Sequence, residues 1–214
     1  MKIAMLGTGV VGNTLGGKLV SLGHEVKMGA RSSNNEKAAE WVKQAGAGAS
    51  QGTFAHAATF GELAFNATSG EGSLEAMQQA GAQNLEGKVL VDVSNPLDFS
   101  QGRPPKILFA NEESLAERIQ KALPKARVVK AFNTVSAPVM VNPAQIAGEH
   151  DLFLCGDDAD AKAAVAGIAR SFGWKNLVDL GPLSMARGTE LYLALWVRLY
   201  GTFKTPLFNI HVAR

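Results

Sequence analysis

Three glycines, Gly7, Gly9 and Gly12, stand at the spacing G-x-G-x-x-G in the opening segment MKIAMLGTGVVGNTLGGKLV, behind one apolar run and ahead of another with helical periodicity. At such a junction the first glycine permits a tight turn, the second lets the backbone approach a pyrophosphate, and the third allows helix and strand to pack closely. The amides of Thr8, Gly9, Val10, Val11 and Gly12 then face the diphosphate of a dinucleotide, where unpaired N–H groups and the positive end of the helix dipole converge. A glycine-rich turn with no ligand is the alternative.

In a pocket for NAD or FAD an acidic residue about 20 positions downstream bonds the ribose 2′-hydroxyl. Here the second strand candidate ends in GARSS, with Arg31 where that acid would be. A guanidinium offers a charge-assisted fork to a 2′-phosphate, and Ser32 and Ser33 add hydroxyls and amides, so the segment favours NADP over NAD. An exposed arginine at a loop start is the alternative. Lys37 either adds charge nearby or sits on an outer helix face.

Ligands of an open parallel sheet bind beyond the carboxyl ends of its strands. The segments there are NATSG (66–70), VSNPL (93–97) and AFNTV (131–135), rich in short polar side chains and backbone amides. Such loops can hold a ribose and a carboxamide by hydrogen bonds and leave a ring face free. Loop capping is the alternative for any single Asn or Thr among them.

The elements that must position these groups are legible as alternation. KIAML, EVKMG, LAFNA, KVLVDV, RVVKAF, DLFLC and NLVDL are strand candidates, separated by segments of helical period. This predicts an α/β, Rossmann-like, doubly wound and mostly parallel sheet covered on both faces, with a small C-terminal helical or strand extension. Leu15, Leu19 and Leu22 share one helical face, as do Ala161, Val165, Ile168 and Phe172; Ser114 to Glu117 reads as a capping box. A weak edge strand is expected around residues 52–54, followed by a short helix, and DFSQGRPPK reads as an exposed excursion. The chain changes character after Gly181-Pro182, giving residues 1–180 as a nucleotide-binding domain and 181–214 as the extension. Residues 189–200, TELYLALWVRLY, are apolar around nearly the whole helical circumference, which predicts burial in the core or against another subunit.

Composition narrows the function classes. A formal charge of +2 from 21 basic and 19 acidic side chains leaves no concentrated field for nucleic acid or anionic lipid. Lys121, Lys125, Arg127 and Lys130, the nearest thing to a basic run, are expected to form a solvated face. Cys155 is the single cysteine, so no intrachain disulfide or multi-cysteine metal site can form, and its apolar setting reads as a buried small hydrophobe. The N-terminal apolar run is broken by glycines, unlike a signal peptide, and a cytoplasmic protein without membrane attachment is expected. None of His24, His56, His150 and His211 follows a strand end at the expected nicotinamide position. Arg187 could touch an anionic acceptor, bond a helix end or cross a subunit interface.

GTGVVG, GARS, VSNPL, KAFNT, CGDD and LGPLSMAR, in this order across almost the whole chain, resemble the coenzyme F420-dependent NADP oxidoreductase family. The last three motifs are the more specific ones. Relatives of that family include the cytosolic reductase domain of metalloreductases, which pass electrons from NADPH through flavin to iron or copper. The resemblance implies an NADP-binding Rossmann domain, hydride exchange between NADPH and a deazaflavin, and a homodimer. It places the diphosphate on the Gly7–Gly12 turn, the 2′-phosphate on Arg31 and Ser32, and Thr68, Asn95, Pro96, Ala131 and Asn133 around the nicotinamide riboside. Family members often carry Leu-Glu after the arginine of the last motif; here Glu190 precedes Leu191, which leaves its role open.

Hydride transfer between stacked rings needs proximity and exclusion of water rather than a nucleophile or a metal, so no catalytic side chain is singled out. Three functions remain: an NADPH-dependent reductase of F420 or a flavin, a reductase of another small carbonyl or imine substrate, and a non-catalytic NADP-sensing module. The absence of an evident proton donor favours the ring acceptor.

Overall fold

The computed structural model describes residues 1–102, 104–109 and 111–213. Its strands are β1 (Lys2–Leu6), β2 (Glu25–Ala30), β3 (Ala49–Thr53), β4 (Leu63–Asn66), β5 (Val89–Asp92), β6 (Leu97–Asp98), β7 (Lys106–Ile107), β8 (Arg127–Ala131), β9 (Asp151–Gly156) and β10 (Asn176–Asp179). Eight of them form one sheet in the order β3-β2-β1-β4-β5-β8-β9-β10. Neighbours from β3 to β8 run parallel, β9 pairs antiparallel with β8, and β10 runs parallel to β9. This is the doubly wound α/β sheet that the alternating sequence predicts, and the strand order reverses between β1 and β4. A crevice opens beyond the carboxyl ends at that point.

The central strands read as unbroken apolar runs because both faces are covered. Ile3, Met5, Phe65 and Val91 point into one core with Leu15 and Leu19 of the helix Val10–Ser21; Ala4, Leu6 and Leu90 point into the other with Met77, Leu115 and Ile119. Leu22 departs from the expected stripe: the helix ends at Ser21, and the side chain is exposed beyond it. Ala161, Val165, Ile168 and Phe172 are buried as a stripe of the helix Ala159–Ser171 and its cap. The edge strand β3 lies at Ala49–Thr53, slightly earlier than expected, because pairing with β2 rather than its own composition defines it. The excursion after β5 folds back as the small antiparallel pair β6 and β7; Arg103 within it lies outside the described residues.

The expected C-terminal helix is two helices, Ala186–Leu191 and Leu193–Phe203, meeting at Tyr192. Ala186, Thr189, Glu190 and Leu193 are buried, whereas Leu191, Leu195, Tyr200 and Phe203 are exposed on the single chain. No helix among the described residues is long and apolar enough to cross a membrane.

Candidate functional site

Strand β1 delivers the chain to Gly7, whose φ of +121° suits glycine. A Cβ at Gly7 would stand 2.5 Å from the Ala67 carbonyl oxygen, and one at Gly12 would stand 2.1 Å from the Gly7 carbonyl oxygen. These two glycines are therefore required by packing between turn, helix and β4. Gly9 differs: a Cβ there meets nothing within 4 Å, so the position faces open space.

The helix Val10–Ser21 starts at Gly9 with no side-chain cap. Asn35, Thr53, Ser114 and Asp158, by contrast, each accept a backbone N–H at the start of their own helices. Uncapped amides at the end of a helix dipole, beside a glycine with no neighbour, form a cradle for an anion. Val11 lines the neighbouring cleft, while the Val10 side chain points to solvent at 74% exposure and can contribute only its backbone.

A cleft of about 260 Å³ joins Gly7, Thr8 and Gly9 to Arg31, Thr68 and Ser69. Arg31 follows the end of β2 with its side chain 74% exposed, 4.0 Å from the carboxylate of Glu75, itself 57% exposed. An ion pair so long and wet contributes little, leaving the guanidinium available to a stronger anion. Ser32 is exposed beside it, its Oγ accepting from the Asn34 amide at 3.2 Å.

Continuing past Thr68 and Ser69 is a second cleft, about 380 Å³, lined by Val11, Ser94, Asn95, Leu97 and Phe99 among others. Its floor is a polar network at the strand ends. Thr68 Oγ1 donates to Asn66 Oδ1 at 2.6 Å; Asn66 Nδ2 donates to Asp92 Oδ1 at 2.8 Å; and the Ser94 hydroxyl donates to the same Asp92 oxygen at 2.7 Å.

At the end of β8 the chain turns through Phe132, a buried residue with φ of +64°, a left-handed conformation costing about 1–3 kcal/mol for a non-glycine. The turn aims Asn133 at the neighbouring loop. Its Nδ2 donates to Asn95 Oδ1 and to the Thr189 carbonyl, both at 3.0 Å, and Asn95 Nδ2 donates to the Asn133 carbonyl at 2.9 Å. Asn133 Oδ1 and Thr134 Oγ1 are buried with no hydrogen-bond partner, polar capacity that a bound group can satisfy.

The structure thus brings together Gly7, Thr8, Gly9, Arg31, Thr68, Asn95 and Asn133 along one edge of the sheet. Ala131 is wholly buried in the core and presents no surface to a ligand. Pro96 is also buried, its carbonyl accepting from Leu108 at 2.8 Å, which anchors the excursion over the second cleft.

Lys130 corrects the sequence reading most sharply. Far from belonging to a solvated basic face, its ammonium is buried between Asp92 Oδ2 at 2.7 Å, Glu190 Oε1 at 2.8 Å and the Ser94 carbonyl at 2.6 Å. Burial works against its charge, but Asp92 and Glu190 outweigh it and hold the ammonium above the ordinary lysine range. Glu190 is shifted up by burial, against the pull of Lys130. It also accepts the amides of Leu115 and Ala116 at 2.8 and 3.2 Å, at the start of the helix Leu115–Ala122.

Arg187 bonds that same helix start rather than an open cleft. Its Nε and Nη2 fork onto Glu117 at 2.9 and 2.6 Å, and Glu117 completes the expected capping box with Ser114. The Arg187 fork, aided by Ser114, draws the Glu117 carboxyl down to about 2 against the effect of burial.

A third and larger groove, about 730 Å³, shares Leu97 and Phe99 with the second. Leu193, Trp196, Val197 and Tyr200 form its helical wall, and Pro105 and Pro206 also line it. Trp196 stacks on Tyr200 with ring centroids 5.7 Å apart and on Phe208 at 5.2 Å. None of the four histidines lines any of the three clefts, and no group of three or more metal-ligating side chains occurs among the described residues.

The fold is a Rossmann-like α/β domain of the doubly wound type, with clefts beyond the carboxyl ends of its strands. A family model described as NADP oxidoreductase, coenzyme F420-dependent, matches residues 2–96. The F420-dependent NADP reductase of Methanocaldococcus jannaschii is 30% identical over 224 residues, covering 99% of this chain and 98% of that one. A crystal structure from Arthrobacter sp. FB24, assigned as an F420-dependent NADP-reductase, is 44% identical with a TM-score of 0.95 and full coverage of both chains. The rat metalloreductase STEAP3 is 34% identical over 209 residues, but the chain spans only 38% of its length. The chain belongs to the coenzyme F420-dependent NADP oxidoreductase family and is an NADP-dependent oxidoreductase.

Proposed function

We propose that the protein transfers a hydride between NADPH and a tricyclic ring acceptor, a deazaflavin such as F420 or a flavin. The observation that carries this reading is the run of three adjoining clefts, polar and cationic at the Arg31 end and aromatic at the Trp196 end. When bound, NADPH supplies the hydride.

The uncapped amides of residues 8–12 hold the diphosphate, with Gly9 admitting it by lacking a side chain. Arg31 and Ser32 hold the 2′-phosphate, a charge-assisted contact that distinguishes NADP from NAD. Thr68, Asn95 and Asn133 bound the nicotinamide end; Pro96 fixes the loop beside Asn95, and Ala131, wholly buried, takes no part in the contact. The segment from Leu193 to Pro206 completes the site by walling the third groove, whose apolar surface excludes water from one ring face and stacks the other.

A second reading rests on Tyr200, whose ring lines that groove. A phenol there can give a proton to a small carbonyl or imine. NADPH oxidation measured with F420, FMN, FAD and simple ketones or cyclic imines separates the two. Turnover with a tricyclic ring supports the first, turnover confined to the ketone or imine and lost in Tyr200→Phe supports the second, and binding without turnover leaves a sensing module.

The exposed Leu191 and Leu195, 41% and 51% accessible, belong to the C-terminal helices and do not line the groove. They fit burial against a second copy in a homodimer. Sedimentation equilibrium of the wild type and Leu195→Lys tests this, a dimer that becomes monomeric being the expected result.

A further inference from the structure

We propose that Glu190, acting through Lys130, is a positioning residue for the nicotinamide end of the site; the inference rests on the placement of that end at Thr68, Asn95 and Asn133.

One buried ammonium is the junction of four segments. Lys130 belongs to β8, three residues before Asn133. Its Nζ donates to Asp92 at the end of β5, to the carbonyl of Ser94 beside Asn95, and to Glu190 of the helix Ala186–Leu191. Through Asp92 Oδ1 the network passes to Asn66 and from there to Thr68, so the ends of β4, β5 and β8 are fastened to each other.

The C-terminal helix grips the same loops a second time, since the Thr189 carbonyl accepts from Asn133 Nδ2, which also bonds Asn95. Asp92, Lys130 and Glu190 are essentially inaccessible, so water cannot replace a lost bond. Two carboxylates on one ammonium leave an excess negative charge. The two amides at the start of Leu115–Ala122 meet it, at the positive end of that helix. None of these three groups lines the three clefts, so their effect on the reaction is indirect.

The arrangement makes a separable prediction. The phosphates are assigned to Gly9 and Arg31, neither of which bonds a member of the junction, whereas the alignment of the reacting ring depends on it. Glu190→Gln retains size but has a single acceptor for both the helix amides and Lys130. Displacements of about 1 Å at a reacting pair cost about 100-fold in rate.

The test uses the full chain. For Glu190→Gln, NADPH affinity by fluorescence titration is expected to stay within about threefold of wild type, while single-turnover hydride transfer falls about 10- to 100-fold. Backbone amides of 93–95, 97 and 132–135 are expected to exchange with deuterium about tenfold faster. Glu117→Gln is the control, because it weakens the same helix start and the same C-terminal helix through Arg187 but does not touch Lys130. It should lower the melting temperature and leave both the rate and the loop exchange unchanged.

Lys130→Met with Asp92→Asn and Glu190→Gln removes the cation and both anions together, a change buried pairs tolerate better than loss of one partner, and should reproduce the loss if the single variant does not fold. Unchanged transfer rate and unchanged loop exchange in a folded variant would overturn the proposal, as would equal effects in the Glu117→Gln control. A wild type that reduces no ring acceptor would refute the proposed function alone, because titration and exchange still report on the junction.

Discussion

Gly9→Ala and Gly12→Ala make the same chemical change three residues apart, and the structure assigns them opposite consequences. A Cβ at Gly12 would stand 2.1 Å from the Gly7 carbonyl oxygen, so helix and turn must separate by about 1 Å to regain ordinary contact. Backbone on both sides of that contact cannot swing aside as a side chain would. Overpacking of this kind costs about 1–3 kcal/mol or more, and for a chain of this size each kcal/mol lowers Tm by about 2–4 °C.

At Gly9 the φ of −80° is open to any residue, and the new methyl meets nothing within 4 Å. Gly9→Ala should therefore fold with a Tm within about 2 °C of wild type. The methyl instead occupies the space a diphosphate needs, costing one charge-assisted hydrogen bond of about 1.5–3 kcal/mol, or about 10- to 150-fold in NADPH affinity. Calorimetric melting and NADPH titration of the two variants check both halves. If Gly9→Ala binds NADPH as wild type does, the diphosphate does not lie on this helix end, and the argument from the uncapped amides is wrong.

Arg31→Ala should weaken NADPH about 10- to 100-fold and leave NADH within about twofold, with the difference shrinking at high salt; equal losses for both cofactors in titrations would rule out the 2′-phosphate contact. Glu117 has its folded-state pKa depressed to about 2 from 4.5, so its pairing stabilises fully above the unfolded value and is lost as pH falls from about 4.5 toward 2. Glu117→Gln should thus be less stable near neutrality by about 1–2 kcal/mol, after discounting for the partly exposed Arg187, and the gap in thermal melts should close through that acid window. Cys155, buried in β9 with its thiol pushed up to about 12 chiefly by burial, should resist thiol reagents in the native protein and react on unfolding; labelling of the folded protein at the rate of a free thiol would contradict its placement.

Much of this site is legible in the sequence because its signals are local. The glycine spacing, the apolar strands and the arginine after β2 each lie within a few residues of the element they define. The polar strand ends are legible for the same reason: a short Asn or Thr directly after an apolar run has few places to be. Lys130 is not legible in this way. In RVVKA it reads as one more surface base, and the partners that make its burial possible come from β5 and from the C-terminal helix.

Glu190 carries the same lesson from the other side, since its reason for being in an apolar stretch is a lysine and two amides far earlier in the chain. The division of the last helix at Tyr192 likewise has no local marker such as proline or glycine. The burial of Thr189, Glu190 and Leu193 fixes the helix ends that meet there. Weak composition hides β3 as well, because ASQGT is a strand only by virtue of its pairing with β2.

The central claim is direct hydride transfer from NADPH to a ring held in the aromatic groove. It is tested most directly by incubating the protein anaerobically with F420 and NADPH deuterated at the transferable position, then measuring the mass of the reduced deazaflavin. Retention of deuterium on the reduced ring is the predicted result; absence of reduction, or a reduced ring without deuterium, would contradict it.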